Sequence, residues 1–316
     1  MRLLSSSLLL TSILLGQTAR PPGARQAQDE DPIFRSDTRL VLLPISVSDK
    51  NGKLITDIPQ KSFKVYENGV EQPIKIFRRE DVPISLGLII DNSGSMREKR
   101  QKVETASMDL VKASNSQDEV FIVNFNDDAW LDVPFTSDIK KMEEGVAKID
   151  SRGGTAMRDA INLSMDYLKK EGKRQKKVLL VVTDGNDNAS SISLEKLVNR
   201  AQQEEVLIYS IGLLNEEERR EARIAKRALD LLTRESGGMA FYPKELTEVD
   251  QIALQVAHEI RNQYTIAYSP TVQAMDGSFR QIKVTVSGPG HPIVRTRTGY
   301  YATPDSAPKK AVSQLH

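Results

Sequence analysis

The chain has 316 residues, 39% hydrophobic and 28% charged, with 44 basic and 43 acidic side chains and no cysteine. That composition allows a sizeable buried core and excludes wholesale disorder, disulfides, thiolate zinc sites and cysteine nucleophiles. A formal net charge of +1 offers no global field for nucleic acid or an anionic membrane, so no nucleic-acid partner is expected.

The first residues read as an export signal. Met1-Arg2 supplies a positive charge, and Leu3 to Leu15 is apolar apart from serines and a threonine. Gly16-Gln17-Thr18-Ala19 then ends on a small residue suited to cleavage, although Gln17 fits that pattern poorly. We therefore expect a signal peptide over 1–19 and an exported chain, periplasmic or secreted. The run is shorter than the roughly 20 apolar residues a membrane-spanning helix needs, and no later stretch has that character, so the mature chain is expected to lack a membrane span. Residues 20–37, rich in Pro, Gly, Gln and charge, read as a linker.

From Thr38 the pattern turns to strands. Arg39 to Val47 is β-rich, Asp49 to Lys53 holds an Asn-Gly turn, and Phe63 to Glu67 alternates. Asn68-Gly69 makes a second turn, and Gln72 to Arg78 reads as one further alternating strand. This flank, 38–81, is smaller than what usually folds alone.

Residues 82–262 alternate strand and helix. Ile84 to Ile90 and Lys177 to Thr183 are continuous apolar runs, as expected of strands buried on both faces, and each is closed by an aspartate. Val120 to Phe125, Val206 to Ile211 and Gly238 to Tyr242 read as further strands. Helical spacing covers Val103–Ala113, Ile139–Ile149, Met157–Lys170, Leu194–Gln203, Ala222–Ser236 and Leu246–Asn262. The order implies an α/β fold with a doubly wound, mostly parallel sheet. Residues 263–302 return to β pattern over Tyr264–Tyr268, Phe279–Val286, Ile293–Arg297 and Gly299–Tyr301. Since each flank is small, they are expected to pair into one β-module around the α/β domain; separate packing against that domain is the competing arrangement. Residues 303–316 read as a flexible tail.

Chemistry concentrates at the strand ends. Asp91-Asn92-Ser93-Gly94-Ser95 follows a buried strand directly, and in doubly wound sheets ligands bind at that edge. Asp91, Ser93 and Ser95 bring oxygen donors at alternating positions; Asp184 reaches the same edge, and Thr155, behind Gly153-Gly154, adds a hydroxyl. An all-oxygen set suits a hard cation such as Mg²⁺. Each residue also has a bland role: Ser93, Ser95 and Thr155 as helix caps, Asp184 as a turn residue beside Gly185. Their joint occurrence at one edge favours a metal site.

These residues resemble the metal-ion-dependent adhesion site of von Willebrand factor A domains: Asp91-x-Ser93-x-Ser95, Thr155 behind paired glycines, and Asp184 in Thr183-Asp184-Gly185. The resemblance covers roughly 82–262. The flanks, at Asp276-Gly277-Ser278-Phe279-Arg280 and Arg297-Thr298-Gly299-Tyr300, resemble more weakly an exported bacterial subfamily first described in acidobacteria. The resemblance implies that Ser93, Ser95 and Thr155 coordinate Mg²⁺, or Mn²⁺ or Ca²⁺, directly, with Asp91 and Asp184 acting directly or through water. It further implies an open coordination position filled by the carboxylate of a protein partner.

The expected function is thus an exported, non-enzymatic binding module of adhesion type. Two other accounts stay open. One is a metal-dependent hydrolase with Asp91 as nucleophile, against which stand Ser93 in place of a second acid and the absence of a general base or a phosphate-gripping lysine beside Asp91. The other is a structural metal clamp with partner binding elsewhere. Around the site, Arg97 and Lys99 read as a solvated helix face, Asn186 and Asp187 as a solvated loop in preference to groups that support the ligands from behind, and Asn188-Ala189-Ser190 as an incidental sequon. Glu216 to Arg223 reads as an exposed helix surface and His258 as a partly buried structural histidine.

Overall fold

The computed structural model describes residues 40–304 apart from 80, 114, 148–150, 215–218 and 289. The expected signal peptide and linker, and the tail from 305 onward, lie outside the described residues.

A six-stranded sheet organises the centre, in the order β10-β9-β8-β5-β6-β7. Its strands are β5 (Ile84–Asp91), β6 (Glu119–Phe125), β7 (Ala129–Thr136), β8 (Lys176–Thr183), β9 (Val206–Gly212) and β10 (Ala240–Phe241). All neighbours pair in parallel except β6 with β7. Every residue of β5 is buried because both faces are covered by helices. Leu86, Leu88 and Ile90 pack with α1 (Arg100–Lys112), α2 (Ile139–Ala147) and α6 (Val249–Arg261). Ile89 faces the other layer, made by α3 (Met157–Glu171), α4 (Leu194–Gln203) and α5 (Arg219–Ser236). Gly87 on that face leaves room for an aromatic ring: a Cβ there would stand 2.4 Å from the Phe121 ring.

Sequence reading gave no strand to residues 129–136. The segment forms β7, an antiparallel edge strand; an edge position tolerates Pro134, whose missing N–H would break an inner ladder. A second correction concerns Gln72 to Arg78. The segment is split at Pro73 into β3 (Val70–Gln72) and β4 (Ile74–Arg78), which belong to different sheets.

The flanking strands form two four-stranded sheets, ordered β13-β1-β11-β4 and β14-β12-β2-β3. β1 (Val41–Ser48) pairs antiparallel with β11 (Tyr264–Tyr268) and β13 (Ile293–Arg295). β2 (Phe63–Glu67) pairs with β12 (Phe279–Val286), which also pairs with β14 (Gly299–Tyr301). One apolar cluster, including Leu43, Ile45, Val65, Ile266 and Ile282, joins residues from both sheets. Strands from the two ends of the chain therefore share a core. At its centre the buried carboxylate of Glu67 accepts hydrogen bonds from the hydroxyls of Tyr268 (2.7 Å) and Tyr300 (2.9 Å).

Among the described residues no helix is long and apolar enough to cross a membrane. His258 is exposed on α6 rather than partly buried; its Nδ1 lies 3.2 Å from the Asn262 amide one turn on. Of the charge run 216–223, residues 216–218 lie outside the described residues, while Arg219, Arg220, Glu221 and Arg223 are exposed.

Candidate metal centre

The strand order reverses at β5. The chain leaves it toward β6 on one side and returns to β8 on the other, so a crevice opens beyond the carboxyl ends of β5 and β8. Asp91 closes β5 there, and Asp184 follows β8 directly.

Backbone hydrogen bonds lace three loops together at this edge. Gly94 N–H donates to Gly153 O (3.3 Å) and Arg152 N–H to Asn92 O (3.0 Å), which joins the 91–95 turn to the glycine loop. Asn188 and Ala189 N–H both donate to Thr155 O (3.1 and 3.2 Å), which joins that loop to the segment after β8. The side chains converge accordingly. Ser93 Oγ lies 3.2 Å from Ser95 Oγ, and Ser95 Oγ donates to Asp184 Oδ1 at 2.8 Å. Asp91 accepts from Ser93 N–H through Oδ1 (2.8 Å) and from the Thr183 hydroxyl through Oδ2 (2.5 Å). Thr155 Oγ1 lies 3.7 Å from where a side chain on Gly185 would begin, so its hydroxyl faces the Asp184-Gly185 edge. Hydrogen bonds thus join Ser93, Ser95 and Asp184 in one row and tie Asp91 to the same turn, with Thr155 on the neighbouring loop beside Gly185.

The bland roles do not account for the hydroxyls. Ser93 precedes a short 3-10 turn, Gly94–Met96, without making a side-chain cap bond. The cap position of α3 is Ala156, not Thr155, and the first turn of α3 is held by Asp187, which accepts from Arg158 N–H at 2.7 Å. Among the described residues the Thr155 hydroxyl has no hydrogen-bond partner, although the residue is 5% exposed.

Burial pushes the Asp91 carboxyl up to about 6, against the hydrogen bonds from Thr183 and Ser93, and the nearby Asp184 charge adds to the rise. Asp91 itself has only neutral donors, and a hard cation would supply the positive charge it lacks. Among the described residues no group of three or more His, Cys, Asp or Glu side chains forms anywhere, this edge included, so a metal here depends on the hydroxyls as well as on the two acids. The donor set fits an oxygen-seeking divalent ion: three hydroxyls, two carboxylates and no nitrogen ligand.

Three participants were not foreseen. Lys99, read as part of a solvated face, turns inward: Nζ lies 2.5 Å from Asp184 Oδ2. A lysine therefore does reach the site, although it pairs with Asp184 and not with Asp91. Arg97 is exposed as expected and donates to Ser151 O (3.3 Å). Asp127 accepts from Gly154 N–H at 2.7 Å and fills the space beside Gly153, where a Cβ would stand 2.0 Å from its Oδ2. Asn188 Oδ1 accepts from Thr155 N–H at 2.9 Å, so the sequon asparagine holds the glycine loop. Asp187 is no solvated residue either; its side chain is 6% exposed and pairs with Arg158 and Ser190. The positive φ of Gly153 (+75°) is the one trace of this cradle that a sequence carries, as a glycine.

With that geometry in view, residues 86–186 match the family described as von Willebrand factor type A domain. An uncharacterized protein of Borreliella burgdorferi is 32% identical over 118 residues, 35% of this chain; the match spans 34% of that protein's length. Among solved structures, the von Willebrand factor type A protein from Catenulispora acidiphila aligns with a TM-score of 0.49 at 11% identity, over 84% of this chain and 75% of that one. An aerotolerance-related membrane protein from Bacteroides fragilis aligns at 0.46 and 18% identity, over 56% and 98%. Proximal thread matrix protein 1 from the mussel byssus, solved with a zinc-occupied MIDAS motif, aligns at 0.48 and 16% identity, over 62% and 50%.

Proposed function

We propose that the chain is an exported, non-enzymatic binding module, which captures a protein partner through a divalent cation at the carboxyl edge of its sheet. The observation that carries this reading is the convergence of Ser93, Ser95 and Asp184 in one hydrogen-bonded row beside the unpartnered Thr155 hydroxyl. Asp91, Ser93, Ser95, Thr155 and Asp184 would hold Mg²⁺, with Mn²⁺ or Ca²⁺ as alternatives that the same oxygen donors accept. A bound ion would supply a Lewis-acidic point attractive to a carboxylate oxygen of the partner. This chain's own residues do the rest. Asp91 orders the turn through Ser93 N–H and Thr183, and Asp127 and Asn188 fix the glycine loop that presents Thr155. Against hydrolysis stands the state of Asp91, whose two oxygens both accept hydrogen bonds and which has no paired base among the described residues. The expected export rests on the apolar segment Leu3 to Leu15.

The test is retention of envelope proteins on the immobilised chain with Mg²⁺ or Mn²⁺, with chelator, and with Ser93→Ala. A partner held only with metal, and lost on Ser93→Ala, is the expected result. Equal retention in chelator would leave the ion as a clamp and overturn the reading.

A further inference from the structure

We infer that Lys99 is a tethered counter-cation, which competes with the divalent ion for Asp184 and so lowers the affinity of the site for metal; this rests on the metal reading proposed above. Asp184 has two oxygens and both are covered. Oδ1 takes the Ser95 hydroxyl at 2.8 Å, and Oδ2 takes the Lys99 ammonium at 2.5 Å. These partners differ in kind. A hydroxyl has lone pairs and can turn one toward an ion, whereas an ammonium has three donors and no acceptor. Lys99 therefore cannot join a coordination shell. It can only repel the ion or leave.

The surroundings allow it to leave. Its side chain is 22% exposed against 1% for that of Asp184, and a flexible four-carbon stem carries the charge. Its place in the chain argues for a role beyond solubility. A helix start favours acids, yet α1 has Lys99 at its cap position, Arg100 and Lys102 in its first turn, and no acid there. The other two cations have partners of their own, Glu104 at 2.7 Å and Asp250 respectively. Lys99 alone of the three is paired with a predicted ligand of the ion. The consequence is a site whose buried acid stays neutralised when metal is scarce, and whose freed ammonium stands at the same rim once an ion has entered.

Calorimetric titration of the full chain with Mn²⁺ and with Mg²⁺ tests this, comparing wild type with Lys99→Met and Lys99→Arg. Thermal unfolding with and without ion is the second readout. Lys99→Met is expected to tighten the ion about tenfold. It should also melt below wild type without metal and gain more from it, because Asp184 has lost its partner. Lys99→Arg keeps the charge and should stay within about threefold of wild type. Binding by Lys99→Met alone supports the inference in its strongest form. A wild type that binds the ion, with Lys99→Met equal or weaker, overturns the inference and leaves the metal reading standing. No binding by any of the three overturns both.

Discussion

Two buried acidic centres in this molecule have opposite economies of charge. Where α6 meets β1 and β13, Glu259 is 2% exposed and its needs are met within the protein. Oε1 accepts from Ser46 Oγ (3.0 Å) and Tyr209 OH (3.1 Å), and Oε2 pairs with Arg295 at 2.7 Å. Gln263 closes the ring by donating to Ser46 Oγ and Tyr209 OH. At the edge of the sheet, Asp184 pairs with Lys99 and the Ser95 hydroxyl, while Asp91 has only neutral donors, the Ser93 N–H and the Thr183 hydroxyl. A buried charge that is fully paired holds elements together. One that is short of positive charge has room for a cationic ligand, and the proposed function rests on that difference.

Removing a partner from the closed centre should have the largest effect. Glu259→Ala leaves Arg295 and the buried Tyr209 hydroxyl without their acceptor, so urea unfolding should show a loss of about 3–5 kcal/mol, the same with or without Mg²⁺. A loss that metal restored would erase the distinction between the centres. At the open centre the sign reverses. Asp91→Asn removes a charge that burial penalises, so the metal-free protein should gain on the order of 1–2 kcal/mol while its thermal response to Mg²⁺ disappears. A destabilised variant that still responds to metal would show Asp91 to be structural.

Gly153→Ala sharpens the comparison further, because it touches no proposed ligand. The new Cβ would meet Asp127 at 2.0 Å in a backbone conformation with φ of +75°. The glycine loop must shift and carry Thr155 with it. Titration with Mn²⁺ should show the ion held about ten times more weakly, at a stability cost of about 1–2 kcal/mol.

The smallest effect concerns Lys176 at the start of β8, whose ammonium donates to Ile260 O. Burial lowers its pKa to about 8, despite the nearby acids Asp81, Glu259 and Asp118. Between about 8 and the ordinary lysine value the unfolded chain binds the extra proton, so this group makes stability rise with pH across that window. The slope is at most about 1.4 kcal/mol per pH unit, and Lys176→Met should flatten it in urea titrations at pH 8 and 10.

Much of this was legible in the residues, and the gaps have a common cause. The doubly wound sheet followed from continuous apolar runs at β5 and β8, whose burial on both faces leaves a plain trace. β4 and β7 were harder, because Pro73 and Pro134 have meanings that depend on which sheet, and which edge, a strand joins. At the site, the aspartates at strand ends and the hydroxyls after them could be read locally. Lys99, Asp127 and Asn188 could not. Each acts on a loop far away in sequence, and a lysine beside a helix looks the same whether it faces water or Asp184. The proposed ligands are legible as a motif; the residues that hold the motif in place are legible only in three dimensions.

The most direct test of the central claim is ion stoichiometry in wild type and Thr155→Val, measured by calorimetric titration with Mn²⁺. Removal of that hydroxyl leaves a side chain of nearly the same size and disturbs no hydrogen bond among the described residues. The account predicts one ion per wild-type chain and a loss of affinity of tenfold or more in the variant. Equal binding by both proteins would contradict it.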